Sequence, residues 1–304
     1  MAKAVLTTKV NPTYDDLPEE RYHFPRTYLR QVEGAVGDWI IYYEPRRSTA
    51  ELSSRGGRQA YFAAAKVRSI VPDLTKDDHF YALISDFLEF DRAVPFQEGG
   101  RYYETGLERE DGKTNKGAFG RAVRAIGDIE FEAILQAGFA KVLEEVGPRG
   151  RSPFQHERAY QVAEESSEFE RPIVERVIAR PFRDAAFAVA VKAAYQETCA
   201  VTGLRIINGG GRAEVQAAHI RPVAEGGSDS VRNGIALSGT VHWMFDRGLI
   251  SIDTDHAILV AKDKVPDTAL RMIREERRLI LPCRADALPN PAMLAFHREH
   301  VFKG

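Results

Sequence analysis

The segment VQAAHIRPVAEGGSDSVRNGIALSGTVHWMFDRG, residues 215–248, constrains the chain more than any other stretch. It holds His219, Asn233 and His242 around a Gly-Gly turn, although the whole chain has only eight histidines. Both histidines stand beside apolar residues rather than in a charged run. They are therefore either packed core histidines or members of one chemical site.

The same segment predicts a strand, a loop, a second strand and a helix. An apolar run ends at His219, RPVAEGGSDSVRN has the composition of a loop, and GIALSG is a second short apolar run. Thr240 is a typical helix N-cap residue and Gly248 a typical helix terminator, so the residues between them are predicted to be helical.

This order of elements favours metal-assisted phosphodiester hydrolysis. His242 falls in the first turn of the predicted helix and Asp246 four residues later, so both side chains share one helix face and can hold a divalent cation. His219, across the hairpin, could take a proton from the attacking water, while the metal stabilises the leaving 3′ oxygen. Alternatively, Asp246 caps the turn or pairs with Arg247.

The segment resembles the HNH nuclease family, the one-metal ββα endonucleases. The matching motifs are AAHI-P, NG-AL, H--FD and G-ISID, and AYQETCAVTG and LILPCRADALPNPAMLAFHREHVF look like the HNH branch of bacterial restriction enzymes. The resemblance runs roughly from Phe182 to the C-terminus and implies a ββα-metal fold. It makes His219 the general base, Asn233 the residue that pins the loop, and His242 a metal ligand.

Two departures from the family pattern affect the predicted metal chemistry. Many members carry an acidic residue or a second histidine directly before the base, where this chain has Ala218, so Asp246 is the substitute ligand. Many members also hold zinc with paired cysteines, but Cys199 has no partner in that pattern, so no structural zinc is expected. The expected cofactor is one divalent metal, Mg²⁺ or Mn²⁺, with Ni²⁺ or Co²⁺ as substitutes in vitro.

A length of 304 residues allows two domains, and the Gly-, Pro- and Arg-rich stretch GPRGRSPFQ marks a linker between them. We expect a first domain over residues 1–146, a linker and helical connector over 147–180, and an HNH domain over 181–304. The helical part of this connector is predicted to begin around residue 164. The predicted fold class is α+β.

Strands dominate the predicted first domain, and aromatic residues crowd them. WIIYY, QAYFAAAKVRSIV and HFYALISDFLEFDRAVPF each have strand character. Aromatic rings beside basic residues suit stacking on an unpaired base, although most of the same rings could instead form a β-barrel core. The candidates for a base pocket are Trp39, Tyr42, Tyr43 and Tyr61.

GDWIIYYEPRR, AAAKVRSIV and F-AIL-AGF also look like a PUA-like barrel, in particular the EVE type. That resemblance implies a mixed β-barrel with helices, in which a modified base, such as a modified cytosine, sits in an aromatic pocket. A base can enter such a pocket only after it leaves the DNA stack. Trp39 is the first candidate for a pocket wall.

Charge is unevenly distributed along the chain. The net charge is -2, yet residues 21–71 carry nine Lys or Arg against four Asp or Glu. A local basic face of this kind can hold phosphates, although a solvated surface is the alternative. Arg46, Arg47 and Arg221 are the candidate phosphate contacts, although an Arg that follows a strand, such as Arg221, is more often an ordinary surface group.

Neither a membrane span nor a secretory leader is predicted. The chain has no apolar run of about 18 residues, and MAKAVLTTKVNPTYDD lacks the apolar region of a signal peptide. Only two cysteines occur, which suits a reducing compartment. We therefore expect a cytoplasmic protein without a membrane partner.

Together these features predict a modification-dependent DNA endonuclease of the type IV-like restriction class, which cuts near modified cytosine. The expected partner is double-stranded, modified DNA, and cleavage of both strands would suggest a homodimer. Two alternatives remain open: an HNH nuclease of repair or mobile elements that ignores modification, and a non-catalytic reader of modified DNA.

Overall fold

The computed structural model describes residues 3–8, 16–45, 58–146 and 179–304. The chain divides into two compact units, Met1–Ala186 and Phe187–Gly304. The predicted linker over 147–155 and the predicted helix from residue 164 to 178 lie outside the described residues. The finer domain limits, 1–146, 147–180 and 181–304, stay a prediction.

The described residues of the first unit include eight strands and four complete α-helices. The strands are β1 (Lys3–Thr7), β2 (Arg21–Pro25), β3 (Trp39–Glu44), β4 (Ala60–Pro72), β5 (His79–Pro95), β6 (Gln97–Glu98), β7 (Arg101–Tyr102) and β8 (Val123–Ile126). The helices are α1 (Leu29–Glu33), α2 (Lys116–Phe119), α3 (Asp128–Gly138) and α4 (Ala140–Val146). The three predicted strand regions correspond to β3, β4 and β5.

Six of these strands form one sheet in the order β2-β5-β4-β3-β1-β8. The β1–β3 pair is parallel and the other neighbours are antiparallel. Register shifts interrupt the β4–β5 ladder at three places, and such irregularities bend strands. The sheet curls into a half-barrel, with β2 and β8 as its edges among the described strands. The α+β class is confirmed, and the PUA-like type stays a prediction.

Buried aromatic and aliphatic side chains fill this curled sheet. Every residue of β3 is buried, because β3 lies between β1 and β4 near the middle of the sheet. Helix α3 packs closely against β5: a Cβ atom added at Gly138 would lie 2.5 Å from the ring of Phe90. A larger residue at position 138 would therefore push the helix off the sheet.

The second unit contains two short hairpins and several helices. Its elements are α5 (Arg180–Ala194, which belongs to this unit from Phe187 onward), β9 (Gln216–His219), β10 (Gly234–Leu237), α6 (Gly239–Asp246), β11 (Ile250–Ile252), β12 (Ile258–Val260), α7 (Asp267–Leu270) and α8 (Pro291–Phe296), followed by a π-helical turn over His297–Val301. None of the helices in the described ranges has both the length and the apolar character needed to cross a membrane.

The order β9, loop, β10 and α6 agrees with the strand, loop, strand and helix predicted from the sequence. Strands β9 and β10 pair antiparallel, with His219 opposite Gly234. Helix α5 covers this hairpin so closely that a Cβ atom at position 234 would lie 2.3 Å from Val191 Cγ2 and 3.0 Å from the Phe187 ring. Glycine at position 234 therefore permits the contact between helix and hairpin.

The N-terminal boundary of α6 differs from the prediction, while its C-terminal boundary agrees. The helix begins at Gly239, Ser238 occupies the N-cap position without a side-chain bond, and Thr240 is wrong as the N-cap. A carboxylate from an earlier segment does the capping, because Glu214 Oε1 accepts the Gly239 N–H at 2.9 Å. Gly248 has a φ of +71°, and a Cβ there would lie 2.0 Å from the Val301 carbonyl oxygen.

Candidate active site

His219 lies at the end of β9 and is held from two directions. Its ring stacks on the ring of Phe187, with centroids 3.8 Å apart and an interplanar angle of 9°. Its Nε2 atom is 3.1 Å from Asp229 Oδ1. The side chain of His219 is 20% exposed, whereas that of Asp229 is fully buried. The imidazole is thus fixed in orientation and still reachable from solvent.

Asn233 ties together the loop between β9 and β10. Its Nδ2 group donates to the carbonyl oxygens of Arg221 (2.9 Å) and Ser228 (2.8 Å), and its Oδ1 accepts the Arg221 N–H at 2.9 Å. The residue is 1% exposed. A Cβ at Gly227 would lie 1.9 Å from the Arg221 carbonyl oxygen, so the glycine lets the loop close on itself.

The structure brings His242 and Asp246 together on α6. His242 Nε2 is 3.4 Å from Asp246 Oδ2, and the side chains are 21% and 55% exposed. The other ring nitrogen, Nδ1, lies 2.8 Å from Gln216 Oε1 on β9. If Nδ1 of the neutral ring donates its hydrogen to the Gln216 amide oxygen, Nε2 keeps a lone pair that a metal held between His242 and Asp246 could bind.

This donor pair fits a divalent metal. Two neighbouring ligands of an octahedral Mg²⁺ lie about 3 Å apart, given metal–oxygen bonds of about 2.1 Å, and the 3.4 Å separation is close to that. Ala218 is fully buried and offers no donor. No group of three His, Cys, Asp or Glu side chains that could hold a metal occurs in the described part of the chain. Water and phosphate oxygens would therefore complete the coordination, as is usual for Mg²⁺.

The contacts of the two histidines are separate. Among the described residues, His219 contacts Asp229 and Phe187, and His242 contacts Gln216 and Asp246. Strand β9 connects the two groups of contacts, because it begins at Gln216, which contacts His242, and ends at His219. The structure thus places all four predicted residues in one hairpin–helix unit, without a direct contact between the histidines.

Sequence reasoning missed Asp229 and Gln216. Asp229 belongs to the polar stretch GGSDS, whose composition is typical of a turn and so gave no sign of a separate role for the carboxylate. The sequence did indicate where Gln216 lies. Alternate residues of a strand share one face, which puts Gln216 on the same face as Ala218. A search for a replacement of the missing acidic ligand could have included it.

The four pocket candidates of the first unit are buried. Tyr42, Tyr43 and Tyr61 are fully buried and Trp39 is 6% exposed. Burial raises the pKa of all three phenols above its ordinary value. Their packing agrees with the alternative reading of a core, and a role in binding a base stays a prediction.

Two of these tyrosines adjoin a buried ion pair. Tyr61 donates its hydroxyl to Glu104 Oε1 at 2.7 Å, and Arg124 Nε donates to Glu104 Oε2 at 2.7 Å. The Arg124 guanidinium also lies over the Tyr43 ring, 5.1 Å from its centroid. Within the described residues, the hydroxyl groups of Tyr42 and Tyr43 have no hydrogen-bond partner.

Of the three arginines predicted to contact phosphate, the structure describes one. Arg46 and Arg47 lie outside the described residues. Arg221 donates from Nε to the Glu225 carbonyl at 2.6 Å, and its guanidinium lies 4.4 Å from the Phe296 ring centroid. These contacts give Arg221 a packing role, and a phosphate contact by its remaining N–H groups stays a prediction.

Residues 199–253 match the family model of the HNH endonucleases. This segment is an HNH endonuclease domain. It contains His219, Asn233, His242 and Asp246, and the prediction of an HNH-type nuclease is confirmed. The comparison with curated proteins gave no match.

Two solved structures are similar to the chain at low sequence identity. The modification-dependent TagI restriction endonuclease is 16% identical, with 98% of this chain and 81% of that chain covered and a TM-score of 0.30. The type IV phosphorothioation-dependent restriction endonuclease ScoMcrA is 13% identical, with 79% and 49% covered and a TM-score of 0.18. The chain thus spans about half the length of ScoMcrA.

Proposed function

We propose that this protein is a modification-dependent DNA endonuclease of the type IV-like restriction class, which hydrolyses phosphodiester bonds of double-stranded DNA near modified cytosine. The observation that carries the nuclease part is the HNH domain match over residues 199–253, together with the oriented imidazole of His219 inside it. Reading of a modified base is assigned to the first unit.

In this proposal His219 is the general base. A neutral imidazole held in a fixed orientation can take a proton from a water molecule beside it. Its partial exposure leaves a water molecule access to the ring, while Phe187 and Asp229 restrict the ring's motion. Asn233 acts indirectly, because its three hydrogen bonds hold the loop that returns from β9 to β10.

His242 and Asp246 would hold one divalent metal, Mg²⁺ or Mn²⁺. When bound, such a metal neutralises charge on the scissile phosphate and on the leaving 3′ oxygen. Gln216 supports this role by accepting the Nδ1–H of His242, since an outer partner of this kind fixes the tautomer of a metal-binding histidine.

Recognition of modified DNA is supported by the separate first unit and by the resemblance of its sequence to PUA-like barrels. The first unit is rich in aromatic rings, of which Phe62 and Phe80 in the curled sheet and Tyr102 on β7 are only partly buried. Partly exposed rings can stack on a base that has left the helix, which contributes about 1–3 kcal/mol per base.

A second candidate function is a nuclease whose first unit only anchors DNA. The complete burial of Tyr42, Tyr43 and Tyr61 favours this candidate, because a base can stack on these rings only if the unit opens. The third alternative, a non-catalytic reader, agrees poorly with the ordered contacts of His219 and Asn233, which a decayed site would have no reason to retain.

Cleavage of matched plasmids separates these candidates. The full-length protein is incubated with one plasmid sequence in unmodified, 5-methylcytosine and 5-hydroxymethylcytosine forms, with Mg²⁺ or Mn²⁺ and with EDTA as the control. Cleavage of a modified plasmid alone supports the proposal. Equal cleavage of all forms supports the anchoring nuclease, and binding without cleavage in every metal supports the reader.

A further inference from the structure

The carboxylate of Asp229 is buried beside the catalytic candidate His219. Its side chain has no exposed surface, and Oδ1 lies 3.1 Å from His219 Nε2. Removing a carboxylate from water is costly unless hydrogen bonds or charge compensate for it. A buried carboxylate at this place therefore needs a partner, and the imidazole is one.

The loop holds Asp229 firmly on both sides. The carbonyl of the preceding residue, Ser228, accepts a hydrogen bond from Asn233 Nδ2 at 2.8 Å. The following residue, Ser230, caps the short 3₁₀ turn Val231–Asn233 by accepting the Arg232 N–H at 3.2 Å. The position of the carboxylate is thus set by the same loop that Asn233 pins.

We propose that Asp229 is a positioning residue that fixes the tautomer of His219 and makes Nδ1 the basic nitrogen. This inference rests on the proposed role of His219 as general base. An ionised carboxylate can only accept hydrogen bonds, so the hydrogen of the neutral imidazole stays on Nε2 and the lone pair stays on Nδ1. The stack on Phe187 keeps the ring in that orientation.

The same carboxylate also stabilises the product of the proton transfer. When Nδ1 takes a proton from water, the ring becomes an imidazolium whose charge lies next to Asp229. A buried carboxylate behind a histidine base plays this part in serine hydrolases, where its replacement by Asn lowers kcat by roughly 10⁴-fold because the wrong tautomer is favoured.

The first test is Asp229→Asn in the full-length protein. Asn has nearly the same shape, but its amide can donate to Nε2 and so favours the opposite tautomer. We expect kcat for plasmid cleavage to fall by about 100-fold or more, with DNA binding retained. Asp263→Asn, an exposed position outside the site, is the matched control and should cleave like the wild type.

A double variant distinguishes positioning from simple stabilisation of the loop. If Asp229 acts through His219, adding Asp229→Asn to His219→Ala leaves the residual cleavage rate unchanged. A further loss as large as that in the single variant would overturn the proposal. Wild-type kcat in Asp229→Asn, with His219→Ala inactive, would also overturn it while leaving the proposed function intact.

The tautomer itself gives a readout that does not depend on activity or on the variant's folding. In the wild-type protein labelled with ¹⁵N-histidine, the ring signals of His219 are assigned by their loss in His219→Ala. We expect a hydrogen on Nε2 and none on Nδ1 at neutral pH. A hydrogen on Nδ1 contradicts the proposal even if Asp229→Asn fails to fold. Wild-type cleavage by His219→Ala would instead refute the general base of the proposed function.

Discussion

The ring of His219 lies almost parallel to the ring of Phe187, with 3.8 Å between their centroids. Phe187 is a buried residue of α5, so the core of the unit orients the ring of the base candidate. In the proposed mechanism, the orientation of the base therefore depends on the packing of a helix that contributes no reactive group of its own.

Phe187→Leu should therefore impair catalysis more than folding. Leu keeps an apolar side chain but no flat ring, so the imidazole loses its support, and we expect kcat to fall by roughly ten- to a hundredfold. Phe187→Ala should also destabilise the protein by about 3–5 kcal/mol. Urea unfolding and plasmid cleavage measure the two effects. Val191→Ala, on the same helix, is the control, and an equal kcat loss there would show that general loosening is the cause.

Changes at the two proposed metal ligands should alter the metal requirement. His242→Ala and Asp246→Ala should each raise the Mg²⁺ or Mn²⁺ concentration needed for half-maximal cleavage, because each removes a donor. Titration of the metal in cleavage assays checks this, with the exposed Glu275→Ala as control. EDTA should stop cleavage without lowering the melting temperature. A sharp drop in melting temperature with EDTA would reveal a structural metal.

Asn233→Asp should weaken both stability and cleavage. The amide group of Asn233 donates two hydrogen bonds to carbonyl oxygens, and a carboxylate cannot donate them. Each buried group left unsatisfied costs about 1–3 kcal/mol. Asn208→Asp is the matched control, since the Asn208 side chain only accepts bonds there, from Gly210 and Arg212. Equal unfolding free energies for the two variants would contradict the role of Asn233.

Stability should depend on pH through His297. Its Nε2–H donates to the Phe245 carbonyl and the Ser251 hydroxyl donates to Nδ1, while burial lowers its pKa from 6.5 to about 4. Between these two pKa values the unfolded chain binds a proton that the folded protein does not. The contribution of His297 to the free energy of unfolding is therefore fully present above pH 6.5 and is lost as the pH falls toward 4. His297→Gln should flatten this dependence in urea unfolding, and the exposed His300→Gln should not. An unchanged slope in His297→Gln would contradict this explanation.

Local sequence patterns sufficed to predict the hairpin and helix of the HNH domain. The apolar run before His219 and the left-handed Gly248 are local features, and their structure follows from nearby residues. Thr240 failed as the N-cap because the group that caps α6, Glu214, comes from an earlier segment. Such a partner is set by tertiary packing, which local pattern does not reveal.

The sequence pointed to the proposed reactive groups but not to the side chains that contact them. His219 and Asn233 had recognisable spacing, whereas Asp229 lay in a stretch whose polarity a loop already explained. Tyr42, Tyr43 and Tyr61 were correctly placed in strands. Their burial depends on how the sheet curls, and the alternation of residues along a strand does not give that curvature.

The most direct test of the account is cleavage by His219→Ala. The full-length variant and the control His300→Ala are compared with wild type on a cleaved plasmid with saturating Mg²⁺, and DNA affinity is measured in parallel. A general base acts in the transition state and adds little to ground-state binding. We therefore predict a loss of about 100-fold or more in rate with unchanged affinity for His219→Ala alone. Cleavage by His219→Ala at the wild-type rate would contradict the account.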